Sequence, residues 1–160
     1  MRSILAGLLL AASTAACSAL EPAFGPLVVA GDDGDDAGAE VDAGISFARD
    51  LRPLMNRADD DPTGHGCKKC HYSTEPEHVG LDLGGLDLAT LGSLRQGGAT
   101  SGADLVIAGD PDDSAIVQKL RGTYPFGERM PRDGPPHWSD ADIGLMSAWI
   151  AAGAKGADGE

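Results

Sequence analysis

Five residues near the middle of the chain, Cys67-Lys68-Lys69-Cys70-His71, constrain its fold more than any other feature. Two cysteines stand three apart with a histidine directly behind the second. This is the C-x-x-C-H pattern of covalent haem attachment. Two thiols add to the two vinyl groups on one edge of a porphyrin, and two intervening residues let the backbone bridge those points. The next residue projects under the iron, where an imidazole nitrogen binds axially. A chain that does this must wrap a large apolar ring. The composition agrees: apolar residues make up 42% of the 160 residues but aromatic ones only 4%, so side chains alone would leave a thin core.

Three other uses of Cys67 and Cys70 compete with this one. A thioredoxin-like redox pair would sit in a βαβ pattern, and none surrounds it. Half of a structural zinc site would want a second ligand pair, and only His65, His78 and His137 are left to supply one. A plain disulfide is compatible with an exported protein.

Export is what the N-terminus indicates. "MRSILAGLLLAASTAACS" carries Arg2, an apolar run from Ile4 to Leu10, and then small residues. That order is a secretory signal, too short for a bilayer span of roughly 20 residues. "TAAC" resembles the lipobox of bacterial lipoproteins, with Thr14 where Leu is usual. The expectation is a signal peptide at 1–16 and lipidation of Cys17, since two or more acyl chains hold a protein stably on a membrane. Ordinary cleavage releasing a soluble protein is the alternative. The cysteine count then closes, with Cys17 for lipid and Cys67 and Cys70 for haem.

Residues 18–44 contain seven acidic residues and no Lys or Arg. "AGDDGDDAGAEVDAG" has no periodicity and no aromatic residue, so 17–44 reads as a lipidated cysteine followed by a disordered acidic tether. The formal charge of the whole chain is −13. So acidic a chain argues against nucleic acid, which rewards basic patches, and suits solubility or a basic protein partner.

From 45 to 156 the pattern is all-α with long loops, followed by a short flexible tail at 157–160. A first helix is expected over about 45–56, capped by Ser46, with Phe47, Leu51, Leu54 and Met55 on one face and Pro53 inside it. Asp87 to Gln96 reads as a short helix ending at Gly97-Gly98, and "DLVIAGD" as extended. "DPDDSAIVQKLRG" reads as a helix with Asp110 before it, Pro111 in its first turn and Gly122 after it. "GTYPFGERMPRDGPPHW" is an ordered loop. The last helix is the clearest: Ser139 caps it, Asp142 follows three residues on, and Ile143, Met146, Trp149 and Ile150 form its apolar stripe.

With these pieces in place, residues about 45–155 resemble a bacterial class I-type cytochrome c domain. The resemblance rests on "FARDLRPLM", "CKKCH", "GGLDLATLGSLRQGG", "IAGDPDDSAIVQKLRG", "RMP" and "SDADIGLMSAWIAAGA", in that order. The loop between the first helix and Cys67 is longer than the family pattern. The resemblance implies cytochrome c-like helices around one covalently bound haem c, with a methionine from the loop before the last helix on the distal side. Met1 leaves with the signal, and Met55 and Met146 have a core explanation on helix faces. Met130, in "ERMPRD", is the expected distal ligand, with His137 the runner-up and His71 the proximal one. Arg129 and Arg132 are candidates to pair with the haem propionates or to lie in solvent. Tyr72, Tyr124, Phe126 and Trp138 are candidate walls of the pocket, and Trp149 is expected between the terminal helices. A carbonyl in "STEPEHVG" is the expected acceptor for the second nitrogen of His71.

The function so implied is electron transfer to a redox protein partner. The site would be lipid-anchored on the periplasmic side of a bacterial membrane or at the cell surface, without enzymatic turnover. Two alternatives stay open: a five-coordinate haem acting as peroxidase or gas sensor, and a haem-stabilised interaction module.

Overall fold

The computed structural model describes residues 44–157 and 159. The expected signal peptide, Cys17 and the tether up to residue 43 lie outside the described residues. The described elements are α1 Arg52–Met55, α2 Lys68–His71, α3 Val79–Gly84, α4 Leu91–Gln96, α5 Ala115–Arg121 and α6 Asp140–Ala151. A π-helical turn, Phe47–Leu51, leads into α1, and a 3-10 turn, Gly102–Leu105, follows α4. Among the described residues the only β-type pairing is an isolated bridge between Ile107 and Asp110. The architecture is therefore helical, as the sequence pattern indicates.

Helix α6 forms for the reasons its sequence contains. The Ser139 hydroxyl accepts from the Asp142 amide at 3.2 Å, and the Asp142 carboxylate accepts from the Ser139 amide at 3.4 Å, a complete capping box. Ile143, Met146, Trp149 and Ile150 are all buried. The Phe47 ring lies 5.3 Å from that of Trp149, so the first and last helical segments pack on each other as expected. Leu91 and Leu94 of α4 and Val117 and Leu120 of α5 complete the core.

Three local expectations need correction. The first helix is capped by Ser46, but it opens as a π-turn, with the Arg52 amide bonded to the Phe47 carbonyl. Pro53 follows immediately and has no amide hydrogen to continue the ladder, so the register changes there. The second correction is to "DLVIAGD", which is not extended: Asp104 and Leu105 close the 3-10 turn, and Ile107 to Asp110 form a tight turn. Thirdly, α4 and α5 start later than expected. Thr90 caps α4 through a capping box with Ser93. The segment before α5 is used for turns, with the Ser114 hydroxyl donating to the Asp110 carbonyl at 2.7 Å.

The long loop before Cys67 is a closed excursion. The Cys67 amide donates to the Met55 carbonyl at 2.7 Å, so the chain returns to the end of α1. Gly66 permits the closure, because a Cβ there would lie 2.1 Å from the Arg57 carbonyl oxygen. Two further ties fix the excursion to the start of α6: the Arg57 guanidinium reaches both Asp142 carboxylate oxygens at 2.8 and 3.1 Å, and the Trp138 indole donates to the His65 carbonyl at 2.9 Å. The loop insertion leaves the cysteine motif seated against the helical core.

Candidate functional site

A cavity of about 390 Å³ opens beside the cysteine motif. Cys67, Cys70, His71 and Met130 all line it. A smaller adjoining cavity of about 90 Å³ shares Cys67, His71 and Met130 and reaches inward to Met55, Trp138 and Met146. The four residues that the sequence singles out for haem binding thus share one enclosure, supplied by α2 and by the loop between α5 and α6.

The motif itself is built on a short helix. Cys67 stands at the N-cap of α2, and the His71 amide donates to the Cys67 carbonyl at 3.0 Å. One helical turn therefore carries both sulfurs and the imidazole. Both cysteines are free thiols. Burial pushes the Cys67 thiol up to about 12, with the neighbouring Cys70 adding to the effect. Cys70 is raised as well, by burial and then by Asp133 and Asp59. These sulfurs are thus protonated at neutral pH and poor candidates for thiolate-based redox exchange.

His71 is held by its second nitrogen. Nδ1 lies 3.2 Å from the Leu86 carbonyl oxygen. With Nδ1–H donating there, the lone pair sits on Nε2. Burial holds the imidazole below its usual pKa, with the Leu86 carbonyl and Asp87 opposing. The neutral form, the one that binds metal, is the populated one. The acceptor is Leu86 rather than a carbonyl of residues 73–80: α3 packs against the ring at Gly80, and the chain leaving α3 brings the Leu86 carbonyl to Nδ1. The Leu88 amide closes that return by donating to the His71 carbonyl at 2.8 Å.

Helix α3 was not legible in the sequence. It brings Gly80 against the imidazole: a Cβ at that position would lie 2.5 Å from Cε1 of His71 and 2.8 Å from the Cys70 carbonyl oxygen. Gly80 and the Leu86 carbonyl are neighbours of the imidazole that sequence reasoning missed, since a glycine between a valine and a leucine and a backbone carbonyl carry no local signal.

Other candidates separate cleanly. Tyr124 and Phe126 line the large cavity and Trp138 the small one. Tyr72 lines neither: it is buried, and its hydroxyl accepts from the Arg52 guanidinium at 3.1 Å. Arg132 is exposed at the cavity wall, whereas Arg129 turns away and donates to the Leu120 carbonyl at 2.8 Å. Met55 and Met146 are fully buried in the core. His137 lines neither cavity, whereas His65 lines the large one; the Nδ1 of each is buried without a hydrogen-bond partner. His78 pairs with Asp82 at 3.1 Å.

These surroundings fit a haem. Among the described residues the large hydrophobic side chains left exposed are Val79, Leu83 and Phe126, at 45%, 79% and 64%, and all three line this one cavity. A broad apolar ring seated in the cavity would take this surface out of water. The donor set suits it too: two thiols on one turn, an imidazole with Nε2 free and a thioether. Among the described residues no cluster of three or more His, Cys, Asp or Glu side chains is arranged to hold a bare metal ion.

Comparison with known proteins agrees with this geometry. Residues 67–134 match a family model described as Planctomycete cytochrome C. The match begins at the first cysteine of the motif, includes Met130 and ends before α6. No curated protein and no solved structure matches the chain.

Proposed function

We propose that this chain carries a cytochrome c-type domain and is a mono-haem electron carrier, a reading that the family match over residues 67–134 supports. Cys67 and Cys70 hold the haem through thioethers, His71 is the proximal ligand and Met130 the distal one. A bound haem supplies reversible one-electron chemistry. The observation that carries the reading is the convergence of Cys67, Cys70, His71 and Met130 on one cavity edged by Val79, Leu83 and Phe126.

The chain's own residues set the terms of transfer. The Leu86 carbonyl orients the His71 imidazole and increases its donor strength. A thioether from Met130 favours the reduced state relative to a second imidazole. If His71 and Met130 both bound the iron of a haem, they would leave no room on it for a substrate. The cavity mouth is the natural approach for a partner protein, and such encounters are small and short-lived.

Absorption spectra of the oxidised and reduced protein, with and without carbon monoxide, test this. The expected result is a sulfur-to-iron charge-transfer band in the far red of the oxidised form and no response to carbon monoxide. Met130→Ala should abolish the band, lower the potential and admit carbon monoxide. A wild-type protein that binds carbon monoxide at once would instead support a five-coordinate sensor or peroxidase.

The N-terminal sequence supports placing this carrier at a membrane surface outside the cytoplasm, through lipid on Cys17. Cys17→Ser should move the protein from the membrane to the soluble fraction. Equal membrane association of both forms would refute the lipid anchor.

A further inference from the structure

The residue that the site leaves unassigned is Lys119, in the last turn of α5. It lines both cavities, and its ammonium bonds to the segment that carries Met130. Its ammonium donates to the Phe126 carbonyl and, at 3.3 Å, to the Glu128 carbonyl. It also lies 5.0 Å from the centre of the Tyr124 ring. Its own carbonyl accepts from the Met130 amide at 3.0 Å. One residue thus grips the loop at Tyr124, Phe126, Glu128 and Met130.

We propose that Lys119 is a positioning residue: it clamps the 124–130 segment to α5 and so fixes the Met130 thioether at the cavity. The segment's other ties are the Arg129 guanidinium on the Leu120 carbonyl at 2.8 Å and the half-buried Tyr124 ring against the core. Phe126 is largely exposed, and it belongs to no helix or strand. Segments with few buried apolar contacts open locally at small free-energy cost. Hydrogen bonds from a charged donor are about twice as strong as neutral ones, and the Lys119 ammonium places two of them on the stretch Phe126 to Glu128, which Arg129 does not reach. The Tyr124 ring adds a cation–π contact. The inference rests on the reading of Met130 as the distal ligand, but the clamp itself can be measured separately.

The test compares haem-loaded wild type with Lys119→Met, which keeps the apolar stem, and Lys119→Arg, which restores a charged donor. Amide hydrogen exchange over 126–130 reads the clamp, with α6 as internal control. The far-red sulfur-to-iron band and the rate of imidazole binding to the oxidised protein read the thioether. Lys119→Met should speed exchange over 126–130 roughly ten- to a hundredfold, as loss of charge-assisted hydrogen bonds implies, and leave α6 unchanged. It should also weaken the band and speed imidazole entry, and Lys119→Arg should recover most of both. Should Lys119→Met fail to mature, Lys119→Gln reads the same effects at smaller amplitude. Unchanged exchange over 126–130 overturns the clamp. Faster exchange with an unaltered band and unaltered imidazole entry overturns the positioning role. A wild-type protein without the band overturns the Met130 reading, and exchange then decides the clamp alone.

Discussion

Gly80 shows how narrowly the site is drawn at the scale of single residues. The α3 backbone passes so close to His71 that a methyl group would lie 2.5 Å from Cε1. Gly80→Ala must therefore push the imidazole or lift α3. Overpacking of this kind costs about 1–3 kcal/mol. A displaced imidazole also loses its bond to the Leu86 carbonyl and becomes a poorer donor. The expected outcome is a lower denaturant midpoint for the haem-bound protein together with a raised reduction potential. Equilibrium unfolding and a redox titration of the same variant measure both, and a variant matching wild type in both would show that the close approach is unimportant. Spacing and loop position mark Cys67, Cys70, His71 and Met130 as candidates in the sequence, and the structure brings the four to one cavity. Gly80, the Leu86 carbonyl and Lys119 carry no such mark, because their roles come from contacts between segments.

Among the elements, α6 was the most legible, and its start is the most exposed to test. Its capping box, apolar stripe and termination follow from local residues alone. Less legible was the use of Asp142 twice, once in the cap and once as partner of Arg57 in the excursion before Cys67. Burial works to raise the Asp142 carboxyl, but bonds from Arg57 and Ser139 outweigh it and hold the group below the usual carboxylate range. A depressed folded-state value means a contribution that is present above the ordinary carboxylate pKa of about 4 and lost as pH falls through the lower folded value. Asp142→Asn should therefore lower stability by about 1–3 kcal/mol near neutrality. The difference from wild type should shrink as the solution becomes more acidic than pH 4. Denaturant melts at neutral and at acid pH check this; a difference that grew on acidification would contradict it. The short helices α2 and α3 escaped the sequence pattern for the opposite reason. At four and six residues they have too few turns for periodicity to register, and packing around the motif sustains them.

For the molecule as a whole, the question is what fills its centre. The cavities beside the cysteine motif reach into the helical core at Met55, Leu120 and Met146. A cavity of about 390 Å³ that stays empty leaves Val79, Leu83 and Phe126 in water, and their burial is lost to the stability of the fold. Whole domains are stable by only about 5–15 kcal/mol, so a chain that never acquires its haem should be marginal. The thin aromatic content pointed to this from the start, while the shape of the enclosure depended on how the loops close. Cys67→Ala combined with Cys70→Ala should yield little folded protein, seen as a broad, low-temperature thermal transition. A sharp transition at the wild-type temperature would mean that side chains alone complete the core.

The claim on which these arguments converge is that Cys67 and Cys70 bind haem covalently. The most direct measurement is the absorption spectrum of the purified protein after acidified acetone, which removes any haem not bonded to the chain. The account predicts that the Soret band stays with the polypeptide, and that it is lost from the Cys67→Ala, Cys70→Ala variant. A wild-type polypeptide left colourless by the same extraction would contradict it.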